Sequence, residues 1–139
     1  MTKRIRLALS VEYGIWPVKF FEHGIVGQTI KHAHVRFVPE NWQITEKILK
    51  NFPEKFINLH SWLELQFLYT VKPEPYILWS DSYEEIFKVC WNPPAPLQYL
   101  RTVVAEALGR PERGSWRNMD PELDKKLWTE TVIRLKRYF

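Results

Sequence analysis

Ser61-Trp62-Leu63-Glu64-Leu65-Gln66-Phe67-Leu68-Tyr69-Thr70-Val71 is the stretch on which the fold turns. Leu63, Leu65, Phe67, Tyr69 and Val71 fall at every second position, with Trp62, Glu64, Gln66 and Thr70 among the residues between. Successive side chains of a strand point to opposite faces, so this alternation predicts a half-buried strand. The same period recurs over residues 4–12, where Ile5, Leu7, Leu9 and Val11 would share one sheet face and Arg4, Arg6 and Ser10 the other. Tyr13-Gly14-Ile15 then turns the chain into a second strand over Pro17–Phe21, its proline at the start, where a missing donor is tolerated. His23 beside Gly24 reads as a turn residue. Residues 25–30 and 32–38 predict one bent strand or two short ones, with Val35 and Phe37 inward, and Tyr76–Trp79 predicts a short edge strand.

Helix signals concentrate later. Thr45 would cap a short helix through Lys50. Ser82-Tyr83-Glu84-Glu85 has the spacing of a capping box, and Tyr83, Ile86, Phe87, Cys90 and Trp91 follow at helical spacing until Pro93-Pro94. A second helix begins at Pro96 and carries Leu97, Leu100, Val104, Ala107 and Leu108 on one stripe, with Gly109 as its stop. Asp120-Pro121 opens a third, with Leu123, Leu127, Thr131, Leu135 and Tyr138 along a face. Strands followed by helices predict an α+β fold: an antiparallel sheet of about four to five strands, mostly N-terminal, with three helices in the C-terminal third packed on one face. Without repeat or linker, residues 1–139 read as a single domain.

Composition narrows the class. Seven tryptophans stand among 21 aromatic residues, and 45% of the chain is apolar against 26% charged, which is globular and far from disordered. Trp91 and Trp128 would fill the core, whereas Trp62 lies opposite the apolar side of its strand. Cys90, the lone cysteine, excludes an internal disulfide and reads as a small buried hydrophobe. Arg6 and Glu12 interrupt the first apolar run before a signal sequence could form, and no segment approaches the roughly 20 apolar residues of a membrane span. A cytoplasmic location is the expectation. The net charge of +4 is diffuse, with its excess near the N-terminus.

Few residues carry catalytic chemistry. His32 and His34 would share a strand face and could hold one metal ion, with Glu40 following. That order resembles the start of a cupin metal site, but the spacing of Gly27 and Glu40 departs from it and no second half follows. The pair falls opposite Val35 and Phe37, on the solvated side. No glycine-rich phosphate loop, nucleophile elbow or cysteine pair is present, and no cofactor is expected. The segment from Gly109 to Asn118 is the best candidate for binding: Arg110, Arg113 and Arg117 face a single acid, Glu112, and surround Trp116. Arginine with tryptophan is the pair most enriched at interface hot spots, and the same pair can stack on single-stranded nucleic acid.

Val11-Glu12-Tyr13-Gly14-Ile15-Trp16-Pro17-Val18 resembles the first hairpin of small bacterial proteins, some of the toxin-immunity type. The resemblance covers about ten residues, implies tight binding to a protein partner without catalysis, and carries over no functional residue. The expected function is therefore a non-catalytic interaction protein that binds and inhibits a macromolecule with an acidic facing patch. A nucleic-acid-binding protein using Lys3, Arg4, Arg6 and the 110–117 loop is the alternative. A metal-dependent enzyme built on His32 and His34 is the third reading.

Overall fold

The computed structural model describes residues 2–24, 34–53, 56–81 and 86–139, without the side chains of Thr2 and Trp116. Its strands are β1 (Lys19–Gly24), β2 (Arg36–Val38), β3 (Phe56–Leu59), β4 (Tyr76–Ser80) and β5 (Phe87–Trp91). They form one antiparallel sheet in the order β2-β1-β4-β5-β3. The helices are α1 (Thr2–Tyr13), α2 (Thr45–Asn51), α3 (Trp62–Val71), α4 (Tyr99–Ala107) and α5 (Pro121–Leu135). The α+β class with an antiparallel sheet is as the sequence predicts. The distribution of helices is not.

Two stretches that alternate like strands are helices. In α3, Ser61 is the N-cap: its hydroxyl accepts from the Glu64 amide at 3.2 Å, while the Glu64 carboxylate accepts from the His60 amide at 2.9 Å. The cap satisfies one orphan donor of the first turn, the Glu64 carboxylate ties down the residue before it, and Leu, Glu and Gln between are good helix formers. The alternation is two helical stripes superposed. Trp62, Leu65 and Leu68 pack inward, while Leu63, Phe67 and Val71, four residues apart, lie outward. Helix α1 repeats the pattern, with Ala8 and Leu9 buried and Leu7 and Val11 exposed. The quoted hairpin is consequently the joint between α1 and β1, with Gly14 at φ +65° as the helix ends.

The converse error falls at residues 83–91. Phe87–Trp91 is a strand, not a helix, because it slots between β4 and β3 and alternates Phe87 and Val89 against Cys90. The proposed capping box at Ser82–Glu85 and the strand over residues 25–30 lie outside the described residues. Among the described residues the C-terminal third thus has two α-helices, α4 and α5, rather than three. Tyr76–Ser80 is central in the sheet instead of an edge.

Helices cover both faces of the sheet rather than one. Phe21, Ile77, Trp79 and Cys90 pack with Ile48 of α2 and Leu100, Val103 and Val104 of α4. Phe20, Leu78 and Val89 point the other way, onto Leu65 of α3. With two faces covered, β1 and β4 lose the solvent-exposed side expected of a half-buried strand, and even Lys19, Glu22 and His23 of β1 are buried. Helix α5 has no buried residue and leans on α1: the Tyr13 hydroxyl meets Thr131 Oγ1 at 3.4 Å, and the Glu12 carboxylate accepts from Arg137 and, at 2.7 Å, from the Tyr138 hydroxyl. Trp128 of α5, expected in the core, is 67% exposed.

Candidate interaction surface

The loop after α4 is built on close backbone contacts. Gly109 follows the helix at φ +69°, and the Arg110 amide returns to the Ala105 carbonyl at 2.8 Å. Two 3₁₀ turns follow, Pro111–Gly114 and Trp116–Asn118. Gly114 is buried with an added Cβ placed 3.0 Å from the Thr102 Cα, so the turn lies close against α4, where a side chain would crowd the helix. Arg101 of α4 fixes the loop from inside: its Nε donates to the Arg113 carbonyl at 3.1 Å and its guanidinium reaches Met119 Sδ. Arg110 pairs with Glu40 at 3.0 Å across the segment following β2.

This geometry adds two arginines that the sequence reading missed. Arg36, on edge strand β2 opposite Phe21, sets its guanidinium carbon 5.8 Å from that ring. The Phe21 ring stands edge-on to His23, whose Nε2 accepts from the Leu100 amide at 3.0 Å. Arg101 is the next residue of α4, so β2 and the start of α4 converge here. Partial burial, then the charge of Arg101, lowers the Arg36 pKa from its ordinary value. Among the described residues neither arginine has a carboxylate partner. Arg113 is half-buried and Arg117 exposed, so the loop extends the same basic surface. The Trp116 side chain lies outside the described residues. Only the tertiary pairing of β2 with β1 brings Arg36 here, and no local spacing signals it.

On its other side the loop borders a cleft of about 130 Å³ against the start of α5, lined by Glu112, Arg113, Met119, Asp120, Leu123 and Asp124 among others. Three carboxylates against one guanidinium make this side acidic. The volume is below the roughly 300–1,000 Å³ of small-molecule sites. Asp120 is committed to capping α5, accepting from the Glu122 amide at 2.9 Å.

The buried ionisable groups serve the fold. His23, buried rather than in a turn, is pushed down to about 4, first by burial and then by the charge of Arg36. Neutral imidazole is what an acceptor for the α4 amide requires. The Asp81 carboxylate accepts from the Ile44 and Thr45 amides, both at 2.8 Å, and so caps α2 from the far end of β4. Burial raises its pKa, but these bonds, the Thr45 hydroxyl and Lys88 outweigh that and hold it below the usual carboxylate range. Lys19 donates to Asn41 at 2.9 Å and to the Trp42 carbonyl. Glu22 is buried with the Tyr76 hydroxyl at 3.4 Å, and burial raises its pKa.

The remaining predicted residues scatter. On a helix, Lys3, Arg4 and Arg6 do not project together: Arg6 is buried beside the rings of Trp16 and Phe20, while Arg4 bonds the Tyr138 carbonyl and covers Phe139. His34 is half-buried and His32 lies outside the described residues. Among the described residues no three metal-ligating side chains converge, and no helix is long and apolar enough to cross a membrane. No protein-family model, curated protein or solved structure matches the chain.

Proposed function

We propose that this chain is a non-catalytic interaction protein, of immunity or inhibitor type, that binds and blocks a macromolecular partner in the cytoplasm. Its contact surface is formed by Arg36, Arg110, Arg113, Trp116 and Arg117, and Arg101 holds that surface in shape. The observation that carries this reading is the basic edge where β2 meets the start of α4: Arg36 lies over Phe21, whose neighbour His23 bonds the Leu100 amide beside Arg101, and among the described residues neither arginine has a carboxylate partner. Like charges brought together are unfavourable in the free protein, and an acidic patch on a partner relieves them.

The test is capture from lysate of the source cells by the immobilised chain, with the retained proteins identified by mass spectrometry. Wild type should retain a partner that the double variant Arg36→Ala, Arg117→Ala loses, both being folded by circular dichroism. Capture equal in the two proteins would overturn the assignment of this surface. Capture abolished by nuclease would favour the nucleic-acid reading.

A further inference from the structure

Helix α3 is apolar on two opposite faces, and only one of them is used. Leu63, Phe67 and Val71 are 75%, 67% and 67% exposed, along a helix of ten residues, about 15 Å long. A surface helix ordinarily keeps one apolar stripe and a polar opposite face, so this outer stripe asks for a cover. The stripe is symmetric about its middle: Phe67 stands four residues from Leu63 on one side and from Val71 on the other. Its ends carry opposite charge, Glu64 in the first turn and exposed Lys72 at the C-cap.

We infer that α3 is a homodimer interface in which it pairs antiparallel with α3 of a second copy across a twofold axis at Phe67. In that register Leu63 meets Val71 of the other copy, and Glu64 lies beside the other copy's Lys72. Each contact occurs twice, as an isologous interface requires. Lys72 now pairs with Glu74 at 3.0 Å, but that exposed pair is worth little and leaves the ammonium able to turn. Antiparallel helix dipoles add to the attraction. Exposed Ile57, on the sheet face that α3 covers, extends the apolar rim along edge strand β3. A standard interface buries roughly 800 Å² per copy, more than one short helix supplies, so a dimer in concentration-dependent exchange with monomer is expected. This inference is independent of the arginine surface.

Sedimentation equilibrium and cysteine cross-linking test it. Wild type should show a monomer–dimer equilibrium, and Phe67→Glu should be monomeric at every concentration, with the unfolding temperature of dilute, monomeric wild type. Phe67→Cys should form an intermolecular disulfide with itself. Leu63→Cys and Val71→Cys should cross-link efficiently only when mixed, because each meets the other across the axis. A monomeric wild type, a dimer indifferent to Phe67→Glu, or self-cross-linking of Leu63→Cys would each overturn the inference. So would a monomer that co-sediments with phosphatidylglycerol vesicles through this stripe, which would assign the face to a lipid surface.

Discussion

His23 links local chemistry to stability most directly. The unfolded imidazole titrates near 6.5 and the folded one at about 4, so between those values the unfolded chain binds a proton that the folded chain refuses. The stability contributed by neutral His23 is complete above about pH 6.5 and is lost as pH falls through 4. The shift corresponds to about 3 kcal/mol at full effect. Asp81, whose folded pKa is also depressed, acts with the same sign at lower pH, whereas Glu22, raised by burial, acts with the opposite sign. Urea unfolding midpoints should therefore fall from pH 7 to pH 4, and His23→Gln, which keeps an acceptor for the Leu100 amide without titrating, should flatten that slope. A slope unchanged by the substitution removes His23 as its cause. For Glu22 the prediction reverses: Glu22→Gln removes a charge that burial disfavours, keeps an acceptor for Tyr76, and should raise the neutral-pH unfolding temperature. Replacing Asp81 with alanine strips two amides and Lys88 of their acceptor, and should cost about 3 kcal/mol in the same measurement.

At the scale of elements, α3 depends on its cap. Ser61→Ala should cost about 1 kcal/mol by denaturant unfolding, since it removes the acceptor for the Glu64 amide and leaves the buried face of the helix intact. The cap was legible in the sequence, as Ser61-x-x-Glu64, and it outranks the alternation that points to a strand. Period two arises in α1 and α3 because both carry apolar residues on two sides, so an outward stripe mimics the inward one. The surplus hydrophobicity that hides the helix is also what marks the proposed interface. Later elements were legible where chain chemistry acts locally: Asp120-Pro121 starts α5, and Gly109 stops α4. Strand β5 was not, because Phe87–Trp91 obtains its conformation from β3 and β4 on either side. The arginines of the 110–117 loop were visible as composition. Their neighbours became visible only in three dimensions, Arg36 through the pairing of β2 with β1 and Arg101 through its bond from α4 to the Arg113 carbonyl.

The molecule as a whole is unevenly stabilised. Strand β4 is paired on both edges by β1 and β5, and four of its five residues are buried. Helix α5 has none buried and is held chiefly by the Glu12 contacts of its C-terminal extension and by Tyr13 against Thr131 and Arg134. Regions with few buried contacts open first, at a cost well below global unfolding. Amide hydrogen exchange should therefore run fastest through α5 and slowest through β4, and Glu12→Gln should accelerate exchange in α5 without altering β4. Equal protection of the two elements would show that α5 is bound more firmly than its burial allows. The start of α5 also walls the cleft beside Arg113, so the least stable element adjoins the proposed contact surface. A partner that grips the arginine loop should therefore slow exchange at the first turn of α5 even without touching it. If α3 pairs as inferred, its protection should rise with protein concentration while that of α5 stays constant, separating the two surfaces in one experiment.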